Sequence, residues 1–262
     1  MTSLATWPMY VTPEPVREAG QIFIERVLAH LGIQQCEEAP ADLMAQWSSP
    51  SLLLSQSCGY PVMTRLRDKV QIVATPCYEL SGCEGAQHRS FIVIHADDER
   101  STLEAFRGAR VVINALDSNS GMNLLRVTVA PMAEKGRFFG EVKASGAHVT
   151  SLELLSRGET ELTAIDCVTW GYLERYAPDT LARTRVLART ELTPALPIIT
   201  AASRSLEEVQ QMQHVLNEVL QEQPALAETL AIRSFVPASL DDYRVILAQR
   251  DRAMVAGYPI IA

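Results

Sequence analysis

The chain has 262 residues, of which 47% are hydrophobic and 21% charged, a balance typical of a globular protein with a sizeable core. A net charge of −8 argues against a nucleic-acid partner, which calls for a basic patch. No stretch approaches the ~20 apolar residues of a membrane span, so no membrane insertion is predicted. A small anionic ligand stays compatible with this charge, because surface charge is screened over ~10 Å.

Hydrophobic periodicity predicts strands alternating with helices along the chain. The predicted strands are residues 4–10, 52–56, 70–74, 90–95, 110–114, 138–144, 162–167, 184–189 and 198–202. The predicted helices are residues 16–31, 43–47, 63–66, 102–106, 122–129, 149–157, 168–176, 206–221, 225–232 and 240–256. Residues 75–88 and 193–197 are expected to be loops. This alternation indicates an α/β protein with largely parallel sheets.

Small polar residues are concentrated where predicted strands end and helices begin. They lie at positions 55–60, 117–121, 145–148 and 166–169. In open α/β sheets, ligands bind beyond the carboxyl ends of the strands. The pattern therefore predicts one site that is built from several loops.

The turn SNSG, residues Ser118, Asn119, Ser120 and Gly121, precedes a predicted helix. Helix starts expose unpaired N–H groups with partial positive charge, and hydroxyls beside them add donors for an anion. A plain helix cap needs one such residue, and four in succession favour an anion cradle as much as a cap.

A second turn of the same form, SGAHVTS, places His148 at the start of the next predicted helix. Its ring is able to donate to an oxyanion. Read alone, His148 is more simply a capping or solvent-facing histidine. The two turns together favour a shared anion site.

Asp166 ends a buried predicted strand in the sequence AIDCVTW. Two interpretations stay open. Asp166 caps the following helix, or it contacts a cation, an amine or a protonated oxyanion.

Four residues of the N-terminal part are further candidates for ligand contact. Tyr10 and Gln56 end predicted strands, Ser57 follows the second of these, and Tyr78 lies near a predicted crossing point. The competing interpretation is that Tyr10 belongs to the core and Ser57 begins a turn.

Cysteine usage and the lack of enzyme motifs limit the chemistry. The spacing of the five cysteines fits no disulfide scaffold or zinc site, although Cys77 and Cys83 are close enough in sequence to form a loop staple. Thiols in a reducing compartment are the preferred interpretation. Neither a G-x-S-x-G elbow, a Walker A lysine nor an H-E-x-x-H pair occurs. We therefore predict no metal, no cofactor and no catalytic residues.

Six stretches occur in this order along the chain: LLLSQSCGYP, SFIVIH, LEAFRG, SNSG, SGAHVTSLELLSRG and LTAIDCVTW. Together they make the chain resemble the phosphate/phosphonate-type substrate-binding proteins of ABC transporters. The resemblance implies a two-lobed α/β fold of the type II periplasmic-binding-protein class, with mixed, mostly parallel sheets and two crossing hinge strands. Lobe one would comprise residues 1–91 and 190–262, and lobe two residues 92–189. A ligand would be clamped in the cleft between them.

The resemblance also implies a function. The family's oxyanion-binding positions are matched by Ser118, Asn119, Ser120 and His148. The walls of the ligand cleft are matched by Tyr10, Gln56 and Ser57, and Asp166 lies near the position that contacts the distal group of the ligand. The implied role is binding a small phosphorus oxyanion (phosphate, phosphite or phosphonate) for ABC-type transport or sensing, with an ABC permease as candidate partner. The alternative is a cytoplasmic lyase or cofactor-biosynthesis enzyme on the same fold, with His148 and Asp166 as acid and base.

The N-terminal segment MTSLATWPMYVTPEP shows neither the basic nor the apolar region of a signal peptide. The sequence as it stands therefore favours a cytoplasmic location, and a periplasmic one is expected if a leader was removed.

Overall fold

The structure is a computed structural model and describes residues 3–262. Its helices are α1 (Glu14–His30), α2 (Leu43–Trp47), α3 (Gly59–Thr64), α4 (Leu124–Val129), α5 (His148–Ser156), α6 (Cys167–Tyr176), α7 (Leu206–Glu222), α8 (Pro224–Thr229) and α9 (Arg244–Val255). Short 3₁₀ turns lie at Leu103–Phe106, Ala130–Met132 and Pro178–Leu181, and a π-helical turn lies at Asn119–Asn123.

The strands form two five-stranded mixed sheets and one short two-stranded sheet among the described residues. They are β1 (Leu4–Thr6), β2 (Leu52–Gln56), β3 (Val70–Tyr78), β4 (Gln87–His88), β5 (Ser90–His95), β6 (Arg110–Ile113), β7 (Glu141–Ala144), β8 (Leu162–Asp166), β9 (Thr184–Arg189), β10 (Thr193–Pro194), β11 (Ile198–Ala201) and β12 (Ile232–Pro237). The sheet orders are β1-β2-β11-β3-β12 and β7-β6-β8-β5-β9, and β4 pairs with β10.

The chain divides into two compact units. Unit 1 contains the described residues up to Gln87 together with Pro194–Arg244, and unit 2 contains His88–Thr193 and Val245–Ala262. The chain thus passes between the units three times, where the sequence predicted two crossings. The third passage carries α9 to unit 2, whereas the sequence-based division kept it in lobe one.

Hydrogen bonds within unit 2 explain this position of the C-terminal segment. The Arg126 guanidinium donates to the Pro259 carbonyl at 2.7 Å, and the Asn123 amide donates to the Ile246 carbonyl at 3.3 Å. The N–H groups of Phe138 and Phe139 donate to the Ala262 carbonyl. Such long-range pairing of buried polar groups leaves no local signal in the sequence.

Unit 1 is assembled around the buried faces of α1 and α7. Phe23 on α1 stacks on Phe235 of β12 with ring centroids 5.7 Å apart. Helix α7 buries an apolar stripe that includes Val209, Leu216 and Val219, spaced as one helical face requires. Its start carries a capping box, in which the Ser205 hydroxyl and the Glu208 carboxylate satisfy each other's backbone N–H groups.

Unit 2 is assembled around the buried central strands β5, β6 and β8. Strand β6 is parallel to β7 and β8, whereas β5 is antiparallel to β8 and β9. In unit 1, β11 and β12 are antiparallel to β3. The predicted α/β class with mixed sheets is confirmed, but the described pairings include more antiparallel contacts than the predicted mostly parallel arrangement.

Several predicted boundaries were wrong for identifiable reasons. The first strand ends at Thr6 instead of residue 10, and Tyr10 itself has a left-handed backbone with φ of 41°. Strand β3 continues to Tyr78 into the predicted loop 75–88. The predicted helix 225–232 ends at Thr229, and Ala231, with φ of 49°, leads into the unpredicted strand β12. The sequence analysis assigned no element to residues 233–237, which pairing with the distant strand β3 makes a strand.

Two further predictions concern thiols and membranes. Within residues 3–262, none of the five cysteines forms a disulfide, so Cys77 and Cys83 do not staple their loop. In the same part of the chain, every helix falls short of the length and apolarity needed to cross a bilayer.

Candidate functional site

The first part of the candidate site is the helix start that follows β6. Ser118 caps the π-helical turn, and its Oγ accepts a hydrogen bond from the Gly121 N–H at 3.0 Å. The turn continues directly into α4. Single π-helical turns inside helices are frequent at functional sites. Both the cap interpretation and the cradle interpretation remain compatible with Ser118, because a hydroxyl that accepts one bond still has a proton to donate.

The second helix start, that of α5, meets the first. Ser120 Oγ lies 3.1 Å from His148 Nε2. The contact arises because β6 and β7 are parallel neighbours whose carboxyl ends lead into the two turns. The turns are also joined through their backbones, since the Gly146 N–H donates to the Asn114 carbonyl at 2.8 Å. The structure therefore brings together the two motifs that the sequence paired.

His148 is held in its neutral form. Burial lowers its pKa, and the nearby positive charge of His88 acts in the same direction, while the Asp166 carboxylate opposes both. A neutral imidazole carries one N–H donor and one acceptor nitrogen. The donors that converge here, hydroxyl, imidazole and helix-start N–H groups, are therefore uncharged.

The backbone of Ser120 is held in place by a residue of β5. Its carbonyl accepts a hydrogen bond from the Ser90 hydroxyl at 2.8 Å, and the Ser90 N–H donates to Thr190 Oγ1 at 2.9 Å. Ser90 is fully buried and was not among the predicted site residues. Its role depends on the pairing of distant strands, which the sequence does not reveal.

The Asn119 side chain supports the turn from within unit 2. Its amide donates to Thr193 Oγ1 at 3.2 Å, and its carbonyl oxygen accepts from the Asn123 amide at 2.9 Å. Asn123 in turn accepts from Arg126 at 2.9 Å. These contacts of Asn119 hold the helix start in place.

Gly121 is required by packing inside unit 2. A Cβ at this position would lie 1.9 Å from Asn114 Oδ1, a distance that excludes any side chain without rearrangement. The close approach that the structure shows is that of the Asn114 side chain.

Asp166 performs the capping role that was one of its two interpretations. Its Oδ1 accepts from the Val168 N–H at 2.8 Å and the Thr169 N–H at 3.4 Å at the start of α6. Its Oδ2 lies 3.0 Å from His88 Nδ1, and both side chains are almost completely buried. The carboxylate thus already has a cationic partner within the protein.

The surroundings of His88 and Asp166 favour the charged form of both side chains. Burial disfavours protonated His88, but the Asp166 carboxylate outweighs this effect and raises the pKa of His88 above its ordinary value. Burial likewise opposes the carboxylate, yet His88 and the capping N–H groups hold the pKa of Asp166 below its ordinary value. The sequence offered no signal for His88, which lay in a predicted loop.

Among the unit 1 candidates, three side chains form one cluster. The Gln56 amide donates to the Tyr78 hydroxyl at 2.9 Å, and the rings of Tyr10 and Tyr78 meet edge to face at 5.9 Å. Ser57 follows Gln56 in the sequence and is also buried. Its hydroxyl donates a hydrogen bond to the Cys58 carbonyl at 3.3 Å. This contact is compatible with a turn residue, and a ligand contact of Ser57 stays a prediction.

Comparison with solved structures identifies the fold class. A binding-protein component of an ABC phosphonate transporter from Pseudomonas aeruginosa superposes with a TM-score of 0.80 at 15% identity, over 98% of this chain and 88% of that chain. PhnD1 from Prochlorococcus marinus, solved with methylphosphonate, gives 0.78 at 13% identity over 96% and 98%. XAC2383 from Xanthomonas citri, solved bound to ATP, gives 0.69 at 14% identity over 98% of both chains. At these identities the likeness shows the fold, that of the periplasmic binding proteins.

The family follows from the sequence itself. A family model described as the periplasmic substrate-binding protein of phosphonate ABC transporters matches residues 51–243. The chain belongs to this family, which confirms the resemblance inferred from the motifs. Its members are substrate-binding proteins and not enzymes, so the enzyme alternative is not supported. A search of curated proteins finds no match.

Proposed function

We propose that this protein binds a small phosphorus oxyanion, such as phosphate, phosphite or a phosphonate, and delivers it to an ABC-type permease or signals its presence. The observation that carries the proposal is the 3.1 Å contact between Ser120 and His148 at two converging helix starts. The family supports solute binding for transport. The structure of PhnD1 with methylphosphonate supports the ligand class by analogy.

The chemistry of the convergence favours an oxyanion. Helix starts direct N–H groups and partial positive charge at one point, and hydroxyl and imidazole donors add directional hydrogen bonds. Uncharged donors in a buried setting recognise the tetrahedral arrangement of oxygens through geometry rather than through net charge. We assign the head group to Ser118, Ser120 and His148, with the Asn119 and Gly121 contribution limited to the backbone.

Binding is tested by thermal unfolding and calorimetry with phosphate, phosphite and methylphosphonate. A ligand present at ~100 times its dissociation constant adds about 2.7 kcal/mol to the free energy of unfolding. We expect stabilisation by at least one of the three. If all three leave the melting temperature and the calorimetric heats unchanged, the ligand class is wrong.

Site assignment is tested by single substitutions. A hydrogen bond to a charged group contributes about 1.5–3 kcal/mol, so Ser120→Ala and His148→Ala should each weaken binding by roughly 10- to 100-fold. Ser203→Ala, at an exposed position of unit 1, is the matched control and should bind as the unaltered protein does. Equal affinities for S120A and S203A would contradict the assignment.

The two-lobed clamp is part of the proposal. In it, Tyr10, Gln56, Ser57 and Tyr78 contribute contacts from unit 1. Closure predicts that the radius of gyration measured by small-angle X-ray scattering decreases when ligand is added. A tight ligand that leaves the radius of gyration unchanged would argue against a clamp while leaving the head-group site intact.

A further inference from the structure

Three metal-ligating side chains converge in unit 1 at the ends of α1 and α7. His30 is the last residue of α1, Glu222 is the last residue of α7, and Glu218 lies one turn earlier on α7. Residues four apart share a helix face, so both carboxylates lie on one side of α7. Helix α1 packs against α7. One ligand atom from each of the three side chains lies within 4.8 Å of the other two.

The His30 ring is oriented by its own helix. Its Nδ1 lies 2.9 Å from the Arg26 carbonyl oxygen. Because a carbonyl only accepts, Nδ1 must carry the hydrogen, and in the neutral ring Nε2 then presents a lone pair. A backbone carbonyl that holds the second ring nitrogen is the usual support for a metal-binding histidine.

The second ring nitrogen of His30 faces a carboxylate. His30 Nε2 lies 3.0 Å from Glu222 Oε2. Two lone pairs do not face each other at this distance unless a cation lies between or beside them. That cation is either a proton on Nε2 or a metal ion shared by the three side chains.

We propose that His30, Glu218 and Glu222 form a binding site for a first-row divalent transition metal ion, for which Zn²⁺ is the representative probe. Imidazole with carboxylate ligands suits Zn²⁺, Cu²⁺ and Ni²⁺, whereas Mg²⁺ and Ca²⁺ prefer oxygen ligands throughout. Three protein ligands and one water complete a tetrahedral zinc site with an open position.

The spacing fits such an ion after small side-chain movements. Zinc–nitrogen and zinc–oxygen distances of about 2.0–2.2 Å place neighbouring tetrahedral ligands roughly 3.3–3.6 Å apart. The His30 and Glu222 side chains are 27% and 49% exposed, so they are able to adjust and the ion is able to enter and leave. The site therefore binds reversibly and joins the ends of α1 and α7 when loaded.

The test is isothermal titration with ZnCl₂ in a buffer without phosphate. Cys36 is exposed and Cys83 half-buried, and thiols bind zinc, so both are first replaced by serine. We expect one Zn²⁺ per chain, no competition by Mg²⁺, and an affinity at least about 100-fold weaker in His30→Ala, since even supporting groups of a metal site are worth about 10- to 100-fold. Glu222→Gln should weaken binding by a similar factor.

Controls separate this site from general surface binding. His95→Ala in unit 2 and Glu207→Gln at the exposed start of α7 should leave the zinc affinity unchanged. Circular dichroism of the metal-free H30A protein should match that of its parent, because the replaced side chain is at the surface. Absence of zinc binding, or zinc binding that H30A does not weaken, would show an ion pair only and overturn the proposal.

Discussion

The buried pair between His88 and Asp166 gives the most discriminating prediction. Replacing His88 by Gln removes the cationic partner that lies 3.0 Å from the Asp166 carboxylate, and neither side chain has appreciable contact with water. Removing one member of a buried pair typically costs about 3–5 kcal/mol, because the remaining charge stays desolvated. At about 2–4 °C per kcal/mol for a protein of this size, the melting temperature should fall by roughly 6–20 °C.

Urea unfolding followed by tryptophan fluorescence measures this effect. Trp170 lies in the helix that Asp166 caps and packs edge to face on Phe91 at 5.9 Å, so its emission reports on this region. Asp166→Asn is the matched variant, since its amide oxygen keeps the cap while the charge is removed. The double variant should be more stable than the sum of the single losses implies, by about 0.5–3 kcal/mol. Losses that simply add, or a loss below about 1 kcal/mol for H88Q, would refute the ion-pair interpretation.

The pH dependence of stability follows from the same pair. The raised pKa of His88 means that its stabilisation is complete below the ordinary value of 6.5 and is lost as pH rises through the folded-state value. The lowered pKa of Asp166 means that its contribution is present above the ordinary value of 3.8 and is lost as pH falls through the folded-state value. The stability difference between the unaltered protein and H88Q should therefore be largest between these two ordinary values and decline toward alkaline pH. A difference that grows with pH would contradict the assigned charges.

Three further substitutions test the packing around the site and in unit 1. Gly121→Ala should cost about 1–3 kcal/mol, because the new methyl group meets Asn114 Oδ1, and adding Asn114→Ala should recover part of the loss in the same urea titration. Tyr243→Phe should cost about 1–3 kcal/mol in thermal unfolding, since it removes a buried hydroxyl that lies 2.8 Å from Thr75 Oγ1. Ser205→Ala should cost about 1 kcal/mol through loss of the α7 cap and should leave oxyanion affinity unchanged, and a larger effect on binding than on stability would contradict its purely structural role.

The convergence of Ser120 and His148 was predictable because it follows from local rules. Each turn has the composition of a helix start, and consecutive strand–helix units place such starts at one edge of a sheet. Parallel pairing of β6 and β7 then brings the two side chains to 3.1 Å. Pattern and topology together were sufficient here.

The partners of Asn119, Asp166 and His88 were not predictable, because they are chosen by tertiary packing. A short polar side chain at a helix start is equally suited to cap, to ligate or to bond a distant loop. The sequence left a cap and a ligand contact open for Asp166; the structure shows the cap in its bonds to the Val168 and Thr169 N–H groups, and the 3.0 Å approach of His88 is a partner that the sequence did not indicate. The strand Ile232–Pro237 was missed for the same reason, since only its pairing with the distant strand β3 defines it.

The third passage of the chain determines when unit 2 becomes complete during synthesis. Asn123 and Arg126, at the start of the helix that follows β6, bond to carbonyls of Ile246 and Pro259, and these lie beyond the whole second part of unit 1. A nascent chain that ends at Thr193 therefore has both strands and both helix starts of the cradle, yet these two buried groups lack the partners described here. Unit 2 is in this sense completed last, and a fragment meant to reproduce it must join His88–Thr193 to Val245–Ala262 by a linker.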